Sequence, residues 1–78
     1  MKIHVEIPTQ GLDNSTSTVE IYADEDGLEF LKEALGGLKA PSDDVHLMAP
    51  SWGLHGLEEA PFHDDHTPIK HVKITRIQ

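Results

Sequence analysis

The chain has 78 residues, of which fourteen are acidic and six basic, giving a formal net charge of −8, and it contains no cysteine. Neither a disulfide framework nor a thiolate metal site is possible, and a surface this acidic repels nucleic acid and anionic membrane while attracting a basic partner. A chain of this length buries about 60% of the surface its unfolded form exposes, enough for one modest core, so residues 1–78 read as a single domain.

Ile3, Val5 and Ile7 alternate with Lys2, His4 and Glu6, the period-two pattern of a half-buried strand, and Pro8 stops it. The same stretch lacks the continuous apolar run of a signal peptide, and no segment reaches membrane-spanning length, so a cytoplasmic location is expected. The polar run Thr9 to Thr18, with Gly11 and Asp13-Asn14, suits a hairpin connection. Val19 and Ile21, alternating with Glu20 and Tyr22, then give a second strand antiparallel to the first.

Asp24-Glu25-Asp26 supplies a helix start, because carboxylates accept from free N–H groups and suit the positive end of the helix dipole. Leu28, Leu31, Leu35 and Leu38 recur at spacings of three and four, predicting one leucine stripe against a sheet. Gly36-Gly37 weakens the last turn and Lys39-Ala40-Pro41 ends the helix. Asp44 to Met48 reads as a third strand, with Val45 and Leu47 on one face and His46 and Met48 on the other. A long connection, Ala49 to Pro68, precedes a fourth strand over Ile69 to Ile77.

The expected fold is α+β, in the order ββαββ, with a mainly antiparallel four-stranded sheet and one helix on one face. Its helix-facing side takes Ile3, Val5, Ile7, Val19, Ile21, Val45, Leu47, Val72 and Ile74. The opposite side takes His4, Glu6, Glu20, Tyr22, His46, Met48, His71 and Lys73. That face is solvated, covered by the 49–68 connection, or a docking surface.

Five of the six histidines and the only tryptophan fall between His46 and His71. His63-Asp64-Asp65-His66 offers imidazoles and carboxylates of the kind that bind divalent metals, making His63 and His66 the metal candidates, but the spacing is not specific and no His-Glu-x-x-His motif is present. The serines Ser15, Ser17, Ser42 and Ser51 lack a nucleophile-elbow setting, and no phosphate-cradling loop exists. The sequence therefore points away from an enzyme and calls for no cofactor. Trp52, Leu54, Leu57 and Phe62 are too apolar for a wholly solvated loop: they either fold back on the core or anchor a partner, with Glu58, Glu59, Asp64 and Asp65 as an acidic rim.

The run His46-Leu47-Met48, the following Ser51-Trp52-Gly53 and Leu57, the closing Ile69-Lys70-His71-Val72-Lys73-Ile74, and the helix start Asp26-Gly27-Leu28 together resemble the immunity protein 32 family of bacterial polymorphic toxin systems. The resemblance runs from about Val19 to Ile77, and the matching positions are His46, Trp52, Gly53, His71 and Lys73. It implies a small cytoplasmic protein that binds and neutralises a cognate toxin. Many such toxins are nucleases with basic surfaces, so the expected mechanism is steric and electrostatic occlusion. The partner-binding set is then His46, Trp52, Glu58, Glu59, Asp64, Asp65, His71 and Lys73. Two other readings stay open: a metal- or ligand-binding regulatory module using His46, His63, His66 and His71, and a structural homo-oligomer joined through a strand edge or the second sheet face. Toxin binding is also compatible with a homodimer.

Overall fold

Ile3–Pro8 forms β1, with Ile3 and Val5 in the core as their alternation requires; Ile7, expected beside them, is only half-buried, while Glu6 of the polar face is fully buried. The computed structural model describes residues 1–8, 18–53 and 56–78, so the expected turn around Gly11 and Asp13-Asn14, together with Leu54 and His55, lies outside the described residues. Strand β2 (Glu20–Ala23) pairs antiparallel with β1, matching His4 to Tyr22 and Val5 to Ile21.

Helix α1 spans Glu25–Gly36 and is capped by Asp24, whose carboxylate accepts the Gly27 N–H at 2.7 Å and the Lys2 N–H at 3.0 Å. The Asp24 N–H returns a bond to the Lys2 carbonyl, so the helix start and the beginning of β1 clasp each other. Hydrogen bonds from Lys2 and Gly27 hold the Asp24 carboxyl below the usual aspartate range, keeping the cap ionised.

The leucine stripe is corrected by the way this helix docks. Gly27 is buried, Phe30 and Leu31 pack on the core and Ala34 and Leu38 are half-buried, whereas Leu28 and Leu35 stand 59% and 47% exposed. With Gly27 fixed inward, a rotation of about 100° per residue brings positions 30, 31, 34 and 38 to the same side and turns 28 and 35 to the flank. Spacings of three and four fit both stripes, and the backbone contact at Gly27 selects between them.

Strand β3 (Asp44–Met48) is followed by one 3-10 turn, Pro50–Trp52. The expected fourth strand, Ile69 to Ile77, forms as the shorter β5 (His71–Thr75), and an additional strand, β4 (His66–Pro68), forms at the end of the stretch expected to be a long connection. Strand β4 pairs with β1 and β5 with β3, both antiparallel, giving a three-stranded sheet in the order β2-β1-β4 and a two-stranded sheet β3-β5. The architecture is α+β with one helix and antiparallel sheets, but the single four-stranded sheet is not what forms. The cause is local: the Ile69 N–H bonds to the Val5 carbonyl at 2.6 Å, and the next carbonyl, that of Lys70, accepts from Ala49 at 2.9 Å, so the chain changes partners in one step after Pro68. A proline cannot donate to a ladder, which makes it a natural place for a strand to break.

Residues 56–58 fill the gap between the sheets. The Leu57 N–H bonds to the Met48 carbonyl and the Glu58 N–H to the Ile3 carbonyl. Gly56 makes this fit possible: it sits at φ +125°, and a Cβ there would meet the Leu47 side chain at 3.4 Å. The core comprises Ile3, Val5, Leu47, Ala49 and Leu57, flanked by Ala23, Phe30, Leu31, Val45, Ile69 and Val72. Val19 and Ile21, expected inside, are exposed: Ile21 shares a face with Val5 but lies on the edge strand β2. No helix among the described residues is long and apolar enough to cross a membrane.

Candidate functional site

The polar side of the sheets divides into a covered half and an open half. Over β1 and β2, the segment 60–66 folds back as a lid. The Phe62 ring stacks on Tyr22 with centroids 4.7 Å apart and meets His4 edge-on, while His4 Nδ1 lies 2.9 Å from the Ala60 carbonyl. His63 meets Tyr22 and His66 edge-on.

Beneath this lid lies Glu6, whose side chain is wholly inaccessible to solvent. Its carboxylate accepts the Phe62 N–H at 2.6 Å, the His63 N–H at 3.1 Å and His66 Nδ1 at 2.6 Å. Burial alone would push the Glu6 carboxyl up, but the three donors outweigh it and hold the group below the usual glutamate range. Nothing in the residue spacing announces this clamp, since alternation places Glu6 only on the polar face. The cue available in the sequence was chemical, a glutamate between apolar residues in a chain whose long connection is rich in donors.

The clamp also decides the roles of His63 and His66. Their rings are 4.8 Å apart, but His66 Nδ1 is committed to Glu6 and the His63 backbone to the same carboxylate. The pair serves the lid. No group of three or more histidine and carboxylate side chains arranged to hold a metal ion is found among the described residues.

At the rim of the lid the Tyr22 hydroxyl donates to the Glu20 carboxylate. That bond, reinforced by desolvation and by neighbouring carboxylates, pushes the phenol up to about 12. Because Tyr22 is the only tyrosine, ultraviolet difference titration reads it alone. Ionisation near pH 12 is expected in the wild type, moving back toward the ordinary value in Glu20→Gln; identical curves for the two proteins would mean that this bond does not form in solution.

The β3-β5 hairpin carries the open half. His46 faces Lys73 across the ladder and Met48 faces His71, so His46 and His71 are diagonal neighbours on one face. Their rings stack at 5.1 Å, with His46 Nδ1 2.9 Å from His71 Nε2. The other nitrogen of His46, Nε2, lies 3.6 Å from Asp44 Oδ1, and Lys73 Nζ lies 3.9 Å from the second Asp44 oxygen.

Trp52 joins this pair from the 3-10 turn. The turn grows from fully buried Ala49, whose carbonyl accepts the Trp52 N–H at 2.9 Å, and it sets the indole 6.0 Å from the His71 ring while leaving Trp52 60% exposed. Glu59 lies beside it, accepting the Ser51 N–H and pairing with Lys70 at 3.5 Å. Hydrogen bonds from Ser51, with Lys70 adding to them, hold the Glu59 carboxyl below its ordinary range.

Of the residues singled out in the sequence, His46, Trp52, His71 and Lys73 therefore share one surface, with Glu59 next to it. Asp64 and Asp65 belong to the lid, on the other half, and Glu58 is half-buried at the junction of the sheets. The loop hydrophobes separate as well: Leu57 enters the core, while Trp52 and Phe62 remain more than half exposed. Comparison with protein-family models, curated proteins and solved structures gives no match.

Proposed function

We propose that this chain is a non-catalytic inhibitor that binds a basic protein through the outer face of the β3-β5 hairpin, in the manner of an immunity protein neutralising a toxin. The observation that carries this reading is the exposed Trp52 beside the His71–His46 pair. An exposed indole offers large contact area at low conformational-entropy cost, and such residues commonly dominate binding energy. Asp44 and Glu59 on this face are paired with Lys73 and Lys70, so attraction to a positive partner comes from the chain's overall net charge of −8. Occlusion of that surface requires no reaction by this protein.

The reading rests on the sequence resemblance for the class of partner and on the geometry for the face. The neighbouring gene is the first test: a toxin domain encoded there would be the probe, and its absence would count against this reading. Co-expression of the wild type is expected to rescue growth, and Trp52→Ala is expected to weaken binding about tenfold, as for truncation of an aromatic anchor. Reversing charge at Glu59 is expected to weaken binding more than reversing it at Asp64 and Asp65, with an effect that shrinks as salt rises. Full rescue and unchanged affinity in the Trp52→Ala and Glu59→Lys proteins would overturn the assignment of this face.

A further inference from the structure

We infer that His46 and His71 form a binding site for a divalent cation that prefers imidazole, of the copper(II) or nickel(II) class. The inference concerns the chemistry of the pair and is independent of the protein partner proposed above.

The two ring nitrogens are close but are held by a hydrogen bond. His46 Nδ1 and His71 Nε2 lie 2.9 Å apart, a hydrogen-bond distance, and two nitrogens on one ion at about 2.0–2.1 Å stand about 2.9–3.3 Å apart, so turning both rings brings their lone pairs onto one ion without moving the strands. Copper(II) and nickel(II) are the divalent ions that favour imidazole in such sites. In the metal-free protein one proton bridges these nitrogens. Moving that proton to the far nitrogen of its own ring frees both lone pairs; when the ring is that of His46, the nitrogen that takes it lies 3.6 Å from Asp44 Oδ1, within reach once the ring turns. A carboxylate behind a histidine ligand fixes its tautomer.

The backbone supports the arrangement from both sides. His46 and His71 project from paired strands of one ladder, so their separation is set by antiparallel register and no loop has to order itself around the ion. Two protein nitrogens leave the remaining coordination positions to water or to a group from another molecule.

The only tryptophan lies 6.0 Å from the His71 ring and provides the readout, because copper(II) quenches indole fluorescence at such distances. Titrating the tag-free chain with copper(II) is expected to quench Trp52 in a saturable manner at one ion per chain. Saturable quenching is expected to disappear in His46→Ala and in His71→Ala, and to require roughly tenfold more copper in Asp44→Asn, the usual effect of removing a carboxylate behind a histidine ligand. In the unmodified protein, imidazole NMR signals of His46 and His71 are expected to respond first to copper, ahead of those of His4, His63 and His66. Acidification is expected to release the ion, since protons compete for the same lone pairs. Quenching that survives both alanine variants, or copper distributed evenly over the histidines in the NMR titration, would overturn the site.

Discussion

Glu6→Ala is expected to destabilise the fold by about 3 kcal/mol, the scale on which breaking a buried, hydrogen-bonded carboxylate network acts. A chain of this length holds roughly 4–12 kcal/mol in total, so the change removes a large share of its stability. The loss arises less from the missing side chain than from what stays behind. The Phe62 N–H, the His63 N–H and His66 Nδ1 all point at the position the carboxylate vacates, and desolvated donors without an acceptor are costly. Urea unfolding of Glu6→Ala, His66→Ala and the double variant measures this directly. The double variant is expected to be less destabilised than the sum of the singles, because the two side chains share one interaction. Strict additivity would show that the clamp is not formed in solution.

The same clamp gives a pH signature. Its carboxyl is held below the ordinary value of 4.5, so protons bind the unfolded chain more readily than the folded one as the pH falls. The stability that Glu6 contributes is therefore complete above about pH 4.5 and is lost as the pH drops through the lower, folded value. Glu6→Gln cannot ionise at this position, so its unfolding midpoint is expected to vary less than that of the wild type across the acidic range. Parallel curves would contradict the assignment. Hydrogen exchange adds the location: the amides of Phe62 and His63 are expected to lose protection first, because the lid opens before the core.

The strands that alternate cleanly were legible in the sequence. Ile3 and Val5 are buried where their period placed them, and Asp44–Met48 forms the expected strand. What pattern could not supply was the partner of each strand. Ile69 and Lys70 read as the start of one strand, yet the hydrogen bond of the first goes to β1 and that of the second to Ala49, and only the folded arrangement decides that. Val19 and Ile21 illustrate the same gap: their alternation is right for a strand, but burial depends on being covered, and β2 lies at an edge. The candidate site was half legible. Alternation put His46 and His71 on one face, but their adjacency depends on the pairing of β3 with β5, and the approach of Trp52 depends on a 3-10 turn rooted in Ala49, which period-two and period-3.6 patterns do not encode.

Gly27→Ala is expected to destabilise the protein by about 2 kcal/mol, although alanine is the better helix former by about 1 kcal/mol. The two effects oppose each other, and distances decide between them. A Cβ at position 27 would lie 2.5 Å from the Lys2 carbonyl oxygen and 2.9 Å from Ile3 Cγ1, both inside any tolerable contact. Neither neighbour yields cheaply. The Lys2 carbonyl already accepts the Asp24 N–H, and Ile3 is a fully buried core residue. Relief therefore requires the helix to lift from β1, which loosens the Asp24 cap and draws Phe30 and Leu31 away from the core together. Gly36→Ala is the control, since a Cβ there meets nothing within 4 Å and the position lies in the same helix. Thermal unfolding is expected to show the first variant well below the wild type and the second at or above it. If both alanines stabilised the protein, helix propensity alone would account for them, and α1 would not be docked through the backbone contact at Gly27.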